Sequence, residues 1–419
     1  MNSLILNSFD ARGGAAIATF RIDRALRRFG VSTQLVVASK DSDDTTVAGR
    51  TGWTGDGITK LLTCLDSLPV RCYRERQFGP FSPAWVPDNL SGLLEKYNPD
   101  VLHLFWVTAG FLRIESLRKV TRPIVWTLHD MWPFTGGCHY DNECGKYAAT
   151  CGQCPALNSK HEWDLSRHVW KRKAAAWAGL PITLVATSKW LFDCAKSSSL
   201  FKHHRIELIP NCVDTDKYKS INRSAARQLF GLSQSKAILL FSAGNADKDR
   251  RKGLHLLIDA LRLIASRGWA DKVEVVLLGV SVSASITTLP FTVHRIPILR
   301  DEYSQVALYS AADVLVAPSL QENLSNVVVE SLACGTPVVA FNIGGMPDLI
   351  SHNQSGYLAK PFDPDDLAMG IESILGLEGR RGSMSSFCRV SALRYFSQEE
   401  VARQYAALYA DLVTCSNIQ

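Results

Sequence analysis

Short β-branched runs alternate along this chain with stretches of helical periodicity, and that alternation predicts parallel-sheet α/β structure. In the first half the strand-like runs are Ser3–Phe9, Thr33–Ser39, Val101–Trp106, Ile124–Leu128, Ile182–Thr187 and Ile206–Ile209. A helical pattern over Ala15–Phe29 stops at Gly30, a residue suited to a left-handed cap. The second half starts afresh with Ala237–Ala243, Val273–Gly279, Thr292–Ile296, Val314–Ala317 and Val338–Phe341. Its helices are expected over Leu254–Ser266, Ser304–Ala311, Asn326–Ala333 and Asp365–Leu375. Polar, turn-rich Pro210–Tyr218 separates the halves. The pattern therefore predicts two doubly wound α/β domains, 1–209 and 210–395, with a terminal amphipathic helix, 396–419, returning to the first. Tandem units of this kind are expected to face a central cleft, a favoured place for ligands.

The most informative stretch is Pro318–Pro337, which follows the strand Asp313–Ala317 and opens a helix that ends at Gly335. Open α/β sheets bind ligands at the carboxyl ends of their strands, and a helix amino terminus offers unpaired N–H groups to an anion, above all a phosphate. Yet the stretch carries two acids, Glu322 in the loop and Glu330 in the helix. Carboxylates beside a phosphate need hydrogen-bond donors of their own, and the hydroxyls of a sugar and a ribose fit. The reading is a nucleotide-sugar site.

Three other turns bear on it. Ser242–Gly253 joins a strand to a helix and holds Lys248, Arg250, Arg251 and Lys252. Solvated loop charge is one reading; counter-charge for a diphosphate, from Arg251 and Lys252, is the favoured one. Asp10–Ala16 carries the pair Gly13-Gly14 but not the G-x-G-x-x-G spacing of a dinucleotide site. His129 follows a strand, where it would point into the cleft, with Asp130 placed to fix its tautomer or raise its pKa. A satisfied core histidine is the alternative.

Composition narrows the class. The chain has 419 residues, 46% hydrophobic and 21% charged, as in a soluble globular protein. Met1–Phe9 lacks a signal-peptide pattern and no apolar run reaches membrane-spanning length, so a cytoplasmic location is expected. The net charge is only +6, and no nucleic-acid motif appears. Basic residues recur at Arg21, Arg24 and Arg28, in Arg71–Arg76 and in Lys171–Lys173. They read as solvated helix faces or as peripheral docking on anionic lipid at the inner face of the plasma membrane.

Four of the 11 cysteines, Cys138, Cys144, Cys151 and Cys154, crowd into one loop. A structural zinc held by four thiolates, plain packing, and a redox pair at Cys151 and Cys154 are the three readings, with zinc first.

Glu322-x7-Glu330, Arg251-Lys-Gly253, the Gly13-Gly14 loop and the terminal helix from Tyr395 together resemble retaining glycosyltransferase family 4, of the GT-B fold with its two Rossmann-like domains. Trp126–Cys138 and Cys151–Pro155 are similar to a branch that includes colanic acid and other exopolysaccharide glycosyltransferases. The resemblance implies that Glu330 holds the donor ribose and Glu322 the hydroxyls of the donor sugar. Backbone N–H groups of Asn323, Leu324, Ser325, Asn326 and Val327 would meet the diphosphate or the sugar. Lys252 would neutralise the leaving phosphate, Gly14 would let its loop approach, and His129 would lie near the transferred sugar. Many members carry an Arg where this chain has Ala246, so Arg251 or Lys248 is expected to supply that charge.

The expected reaction moves a sugar from a nucleoside-diphosphate sugar to a hydroxyl of a growing, lipid-linked saccharide, in exopolysaccharide or cell-surface polysaccharide synthesis. No cofactor or divalent metal is expected in catalysis. A sugar-nucleotide epimerase on the same fold and a non-catalytic nucleotide-sugar-binding scaffold are the alternatives.

Overall fold

A computed structural model of the chain describes residues 1–76, 79–244, 249–280, 288–376 and 381–416. It divides into two compact units, Met1–Asn211 with Val401–Gln419, and Cys212–Glu400. The change of unit falls two residues beyond the expected 209/210 boundary, and the helix Gln398–Ser416 carries the chain back into the first.

The first unit is built on a parallel sheet in the order β3-β2-β1-β4-β5-β6-β7. The strands are β1 (Asn2–Phe9), β2 (Ser32–Ser39), β3 (Val47–Arg50), β4 (Val101–Leu104), β5 (Ile124–Leu128), β6 (Ile182–Ala186) and β7 (Ile206–Leu208). Five match runs expected from the sequence to within one residue; β4 is shorter by two, ending at Leu104. β3 was not expected, being four residues with only Val47 buried. Central strands β4, β5 and β6 are buried on both faces, which is why they read as unbroken apolar runs. His103, on β4, is fully buried between the hydroxyls of Tyr409 and Thr127, at 2.5 and 2.7 Å. Tyr405 also reaches Thr127, at 2.8 Å. The returning helix is thus fastened to the sheet by a hydrogen-bonded cluster, each of whose polar groups needs a partner once buried.

The second unit repeats the design, with parallel order β10-β9-β8-β11-β12-β13. Its strands are β8 (Ala237–Ser242), β9 (Val273–Leu278), β10 (Thr292–Ile296), β11 (Val314–Ala317), β12 (Val338–Phe341) and β13 (Gly356–Ala359). Strand order reverses between β8 and β11, which pair directly. The turns that leave these two strands therefore flank the switch point of the sheet, where doubly wound folds form their ligand crevice.

Two of the three basic clusters are split, with Arg24, Arg28 and Lys171 exposed and one member of each cluster drawn inside. Arg21 is buried, Arg24 pairs with Asp44 at 3.2 Å and stacks over Phe20, and Lys173 is fully buried. The Lys173 ammonium donates to the carbonyls of Trp132 and Thr135 and lies 3.8 Å from the Trp132 ring. Helical spacing alone had placed these charges on an open face; packing drew Arg21 and Lys173 inward. No helix among the described residues is long and apolar enough to cross a membrane.

Candidate functional site

The basic and acidic turns of the second unit meet. Arg250–Lys252 forms a single tight turn, entered through Asp249, whose carboxylate accepts from the Arg251 N–H, and left through Gly253 at φ +72°. The Leu320 N–H donates to the Arg251 carbonyl at 2.8 Å, and the Arg251 guanidinium donates to the Gln321 carbonyl at 3.0 Å. A Cβ on Gly253 would sit 1.7 Å from the Pro318 carbonyl oxygen, and one on Gly344 would sit 2.0 Å from the Glu322 carbonyl oxygen. Both positions require glycine because backbone approaches backbone there at positive φ.

This contact sets Lys252 Nζ at 2.6 Å and Arg251 Nη1 at 3.6 Å from Glu322 Oε2. Glu322 is buried, 8% exposed. Burial disfavours its charge, but Lys252, Arg251 and the Asn323 N–H outweigh that, and its pKa lies below the ordinary carboxylate value. Asn323 and Leu324 are buried beside it, and Ser325, Asn326 and Val327 are partly buried at the start of the helix Asn326–Ala333. The Ser325 side chain makes no capping hydrogen bond, so it does not itself cover that helix end.

Glu330 is held from another direction. The Tyr309 hydroxyl donates to Glu330 Oε2 at 2.7 Å, with both residues buried. Burial and the neighbouring carboxylate push the Tyr309 phenol well above its ordinary pKa, so it stays a donor. Tyr309 lies on the helix Glu302–Ala311, 21 residues before Glu330, and the Thr336 hydroxyl pins its carbonyl at 2.7 Å. No local sequence signal marks it; only helix packing brings it to the acid. Ala246 and Lys248 lie outside the described residues, so of the proposed substitutes for the family arginine, Arg251 is the one placed beside Glu322.

In the first unit, Gly14 starts the helix Gly14–Arg28 on an exposed turn, with Gly13 at φ +87°. His129 follows β5 directly, its ring stacked on Phe105 at 5.6 Å. Burial lowers its pKa to about 4 and outweighs the Asp130 charge, which acts in the expected upward direction, so the imidazole is neutral. Asp130 accepts from Trp106 Nε1 at 2.8 Å and the Trp132 N–H at 2.9 Å, and pairs with His139 Nδ1 at 2.6 Å. His139 Nε2 faces the Ser82 hydroxyl at 2.9 Å. This buried network, missed in the sequence, fixes the turn that follows His129.

Cys138, Cys144, Cys151 and Cys154, the cysteines expected to hold zinc, all lie among the described residues. Among the described residues no three His, Cys, Asp or Glu side chains are grouped to hold a metal ion. Cys154 packs with Val70 and Leu157, and Cys138 is buried on a bridge to Phe81. Burial raises the thiol pKa values, that of Cys151 to about 12, which keeps the sulfurs protonated.

Residues 12–217 match the family model Glycosyltransferase Family 4, and residues 237–376 match Glycosyl transferases group 1. Sucrose-phosphate synthase from Thermosynechococcus elongatus shares the fold over 99% of both chains, with a TM-score of 0.72 at 18% identity. The chain has the GT-B fold, and each half matches a glycosyltransferase family model. The GT-B protein HepE of Anabaena, solved in complex with UDP and glucose, covers 98% of this chain and 100% of its own, with a TM-score of 0.63 at 18% identity. D-inositol 3-phosphate glycosyltransferase 2 of Catenulispora acidiphila is 31% identical over 183 residues, 41% of this chain and 42% of the relative. The chain thus spans less than half the length of that curated relative.

Proposed function

We propose that this GT-B chain is a retaining family 4 glycosyltransferase that moves a sugar from a nucleoside-diphosphate donor to a hydroxyl of a growing, lipid-linked saccharide in cell-surface or exopolysaccharide synthesis. The observation that carries the reading is Glu322, buried at the β8/β11 switch point with Lys252 and Arg251 on one of its oxygens. That arrangement places cations for a pyrophosphate and an acceptor for sugar hydroxyls within one turn of each other. A neighbour of the same fold, solved with UDP and glucose, supports the donor class.

On this reading Glu330, steadied by Tyr309, takes the ribose hydroxyls, and Glu322 takes those of the transferred sugar. As the glycosidic bond breaks, negative charge grows on the diphosphate. Lys252, Arg251 and the N–H groups of Asn323 to Val327 stabilise it, and donors fixed in advance are most effective where charge develops. The acceptor hydroxyl attacks from the face the diphosphate leaves, and its proton passes to a phosphate oxygen, which retains configuration without a protein nucleophile. The roles expected of Gly14 and His129 belong to the first unit, where the His129 imidazole is neutral.

A panel of sugar nucleotides tested by thermal stabilisation identifies the donor, since a ligand at 100 times its Kd stabilises by about 2.7 kcal/mol. Glu330→Ala should abolish that stabilisation. A panel that leaves the wild-type melting temperature unmoved would refute the donor site.

A further inference from the structure

The helix Gly52–Arg71 turns the wrong face to solvent. Its buried positions, Gly55, Thr59, Asp66 and Val70, fall on one side, as a helix packed on a sheet requires. The opposite side should be polar, yet it carries Trp53 at 97% exposure, Leu61 at 57%, Ile58 at 46% and Leu68 at 41%. At 100° per residue these four span about 140° of the helix circumference. Four large apolar side chains gathered on the solvent side of one helix mark an interaction site.

The charges around the stripe identify what covers it. Lys60 and Arg71 border it on the helix, and exposed Arg74 and Arg76 follow in the next turn. Glu75 is the exposed acid among them. Arg71 lies back along the helix, its guanidinium 3.2 Å from the Cys64 sulfur. Tryptophan and leucine on one face, with long cations at its edge and end, suit the boundary between acyl chains and headgroups. There the aliphatic stems of Lys and Arg lie along apolar surface while their charges reach phosphates. A protein partner would need acidic groups matched to this particular spacing; an anionic lipid surface needs only negative charge. Of the three basic clusters in the sequence, this one adjoins four large exposed apolar side chains on a single helix.

We propose that the helix Gly52–Arg71 with Arg74 and Arg76 docks the protein on an anionic lipid surface, Trp53, Leu61 and Leu68 entering the headgroup boundary. The proposal does not depend on the reaction argued above, and its test involves no turnover. The full chain is sedimented with vesicles of phosphatidylglycerol and phosphatidylcholine, and with phosphatidylcholine alone. Binding to the anionic vesicles is expected, weakening as salt rises. Arg71→Gln with Arg74→Gln should weaken it about 30-fold, taking roughly a factor of five for each basic residue near the surface. Trp53→Ser with Leu61→Ser should weaken binding at every salt concentration. Trp53→Ser alone serves if the pair fails to fold, because that side chain is almost wholly in solvent. No binding to anionic vesicles would overturn the proposal, as would equal binding by wild type and variants. A lipid-free dimer abolished by Trp53→Ser would overturn it in favour of a second copy on this face.

Discussion

Replacing Gly253 by alanine should separate the basic turn from the acidic one. Gly253 has φ +72°, and an added Cβ would lie 1.7 Å from the Pro318 carbonyl oxygen and 2.7 Å from its carbon. The first effect, a left-handed backbone without glycine, costs about 1–2 kcal/mol. Relief of the overlap requires the chains to part by roughly 1.5–2 Å to reach ordinary contact, and overpacking of this kind costs about 1–3 kcal/mol more. Together these predict a loss of about 2–5 kcal/mol and a melting temperature lower by about 4–20 °C for a domain of this size. The functional effect should exceed the loss of stability. A displacement of that size carries Glu322 away from Lys252, and a misplacement of about 1 Å can cost 100-fold in rate. The assay is a thermal melt with kcat/KM for the donor that stabilises the wild type. Gly231→Ala is the control, because Gly231 has φ +64° with nothing within 4 Å of its added Cβ. It should lower stability by the backbone term alone and leave kinetics unchanged. A folded Gly253→Ala protein with wild-type kcat/KM would refute the view that close approach of these turns builds the site.

Tyr309→Phe removes the hydrogen bond to Glu330 and nothing else in shape. A bond to a charged group is worth about 1.5–3 kcal/mol, so donor KM should rise by about 10-fold or more with kcat little changed; an unchanged KM refutes the role. Lys252→Ala should lower kcat by about 100-fold while donor binding, read by thermal stabilisation, changes far less. Equal losses in both would make Lys252 a ground-state contact. The pH dependence follows from His103 and His129, whose pKa values burial lowers, that of His129 to about 4. Below their ordinary value near 6.5 the unfolded chain takes up protons that the folded one refuses. Stability should therefore fall as pH drops from 6.5 towards 4, by up to about 1.4 kcal/mol per pH unit for each. His103→Gln should flatten that slope, measured by denaturant unfolding across the range.

The fold was largely legible because both sheets are parallel and their central strands are buried on both faces, so strands such as Ile124–Leu128 and Val273–Leu278 appear as unbroken apolar runs. β3 and β13 escaped because they are short edge strands with weak apolar signals. Glu322, Glu330 and Lys252 were legible because each lies at or just beyond a turn after a strand, where chain direction and ligand position are coupled. Tyr309 and His139 were not, since their partners lie across packed elements or around a turn, and no period in the sequence relates them. Asp130 shows the limit of adjacency. It neighbours His129 in sequence, yet its carboxylate is taken up by His139 and two tryptophans.

On the proposed function, the pairing at Glu322 also sets how a donor enters. In the free protein the carboxylate is already satisfied by Lys252 at 2.6 Å, with Arg251 nearby, so neither partner waits in solvent for a ligand. A pyrophosphate that draws Lys252 away leaves a buried carboxylate short of its counter-charge, which is costly unless new donors arrive. On the proposed reading the hydroxyls of the transferred sugar are those donors. Sugar and diphosphate therefore support each other: a nucleoside diphosphate alone gains the cations and strands Glu322, and a free sugar must compete with Lys252 for one oxygen. The intact sugar nucleotide exchanges both contacts at once. Such a site favours the whole donor over its fragments by the very charges that stabilise it when empty, and it releases the diphosphate more readily once the sugar has gone.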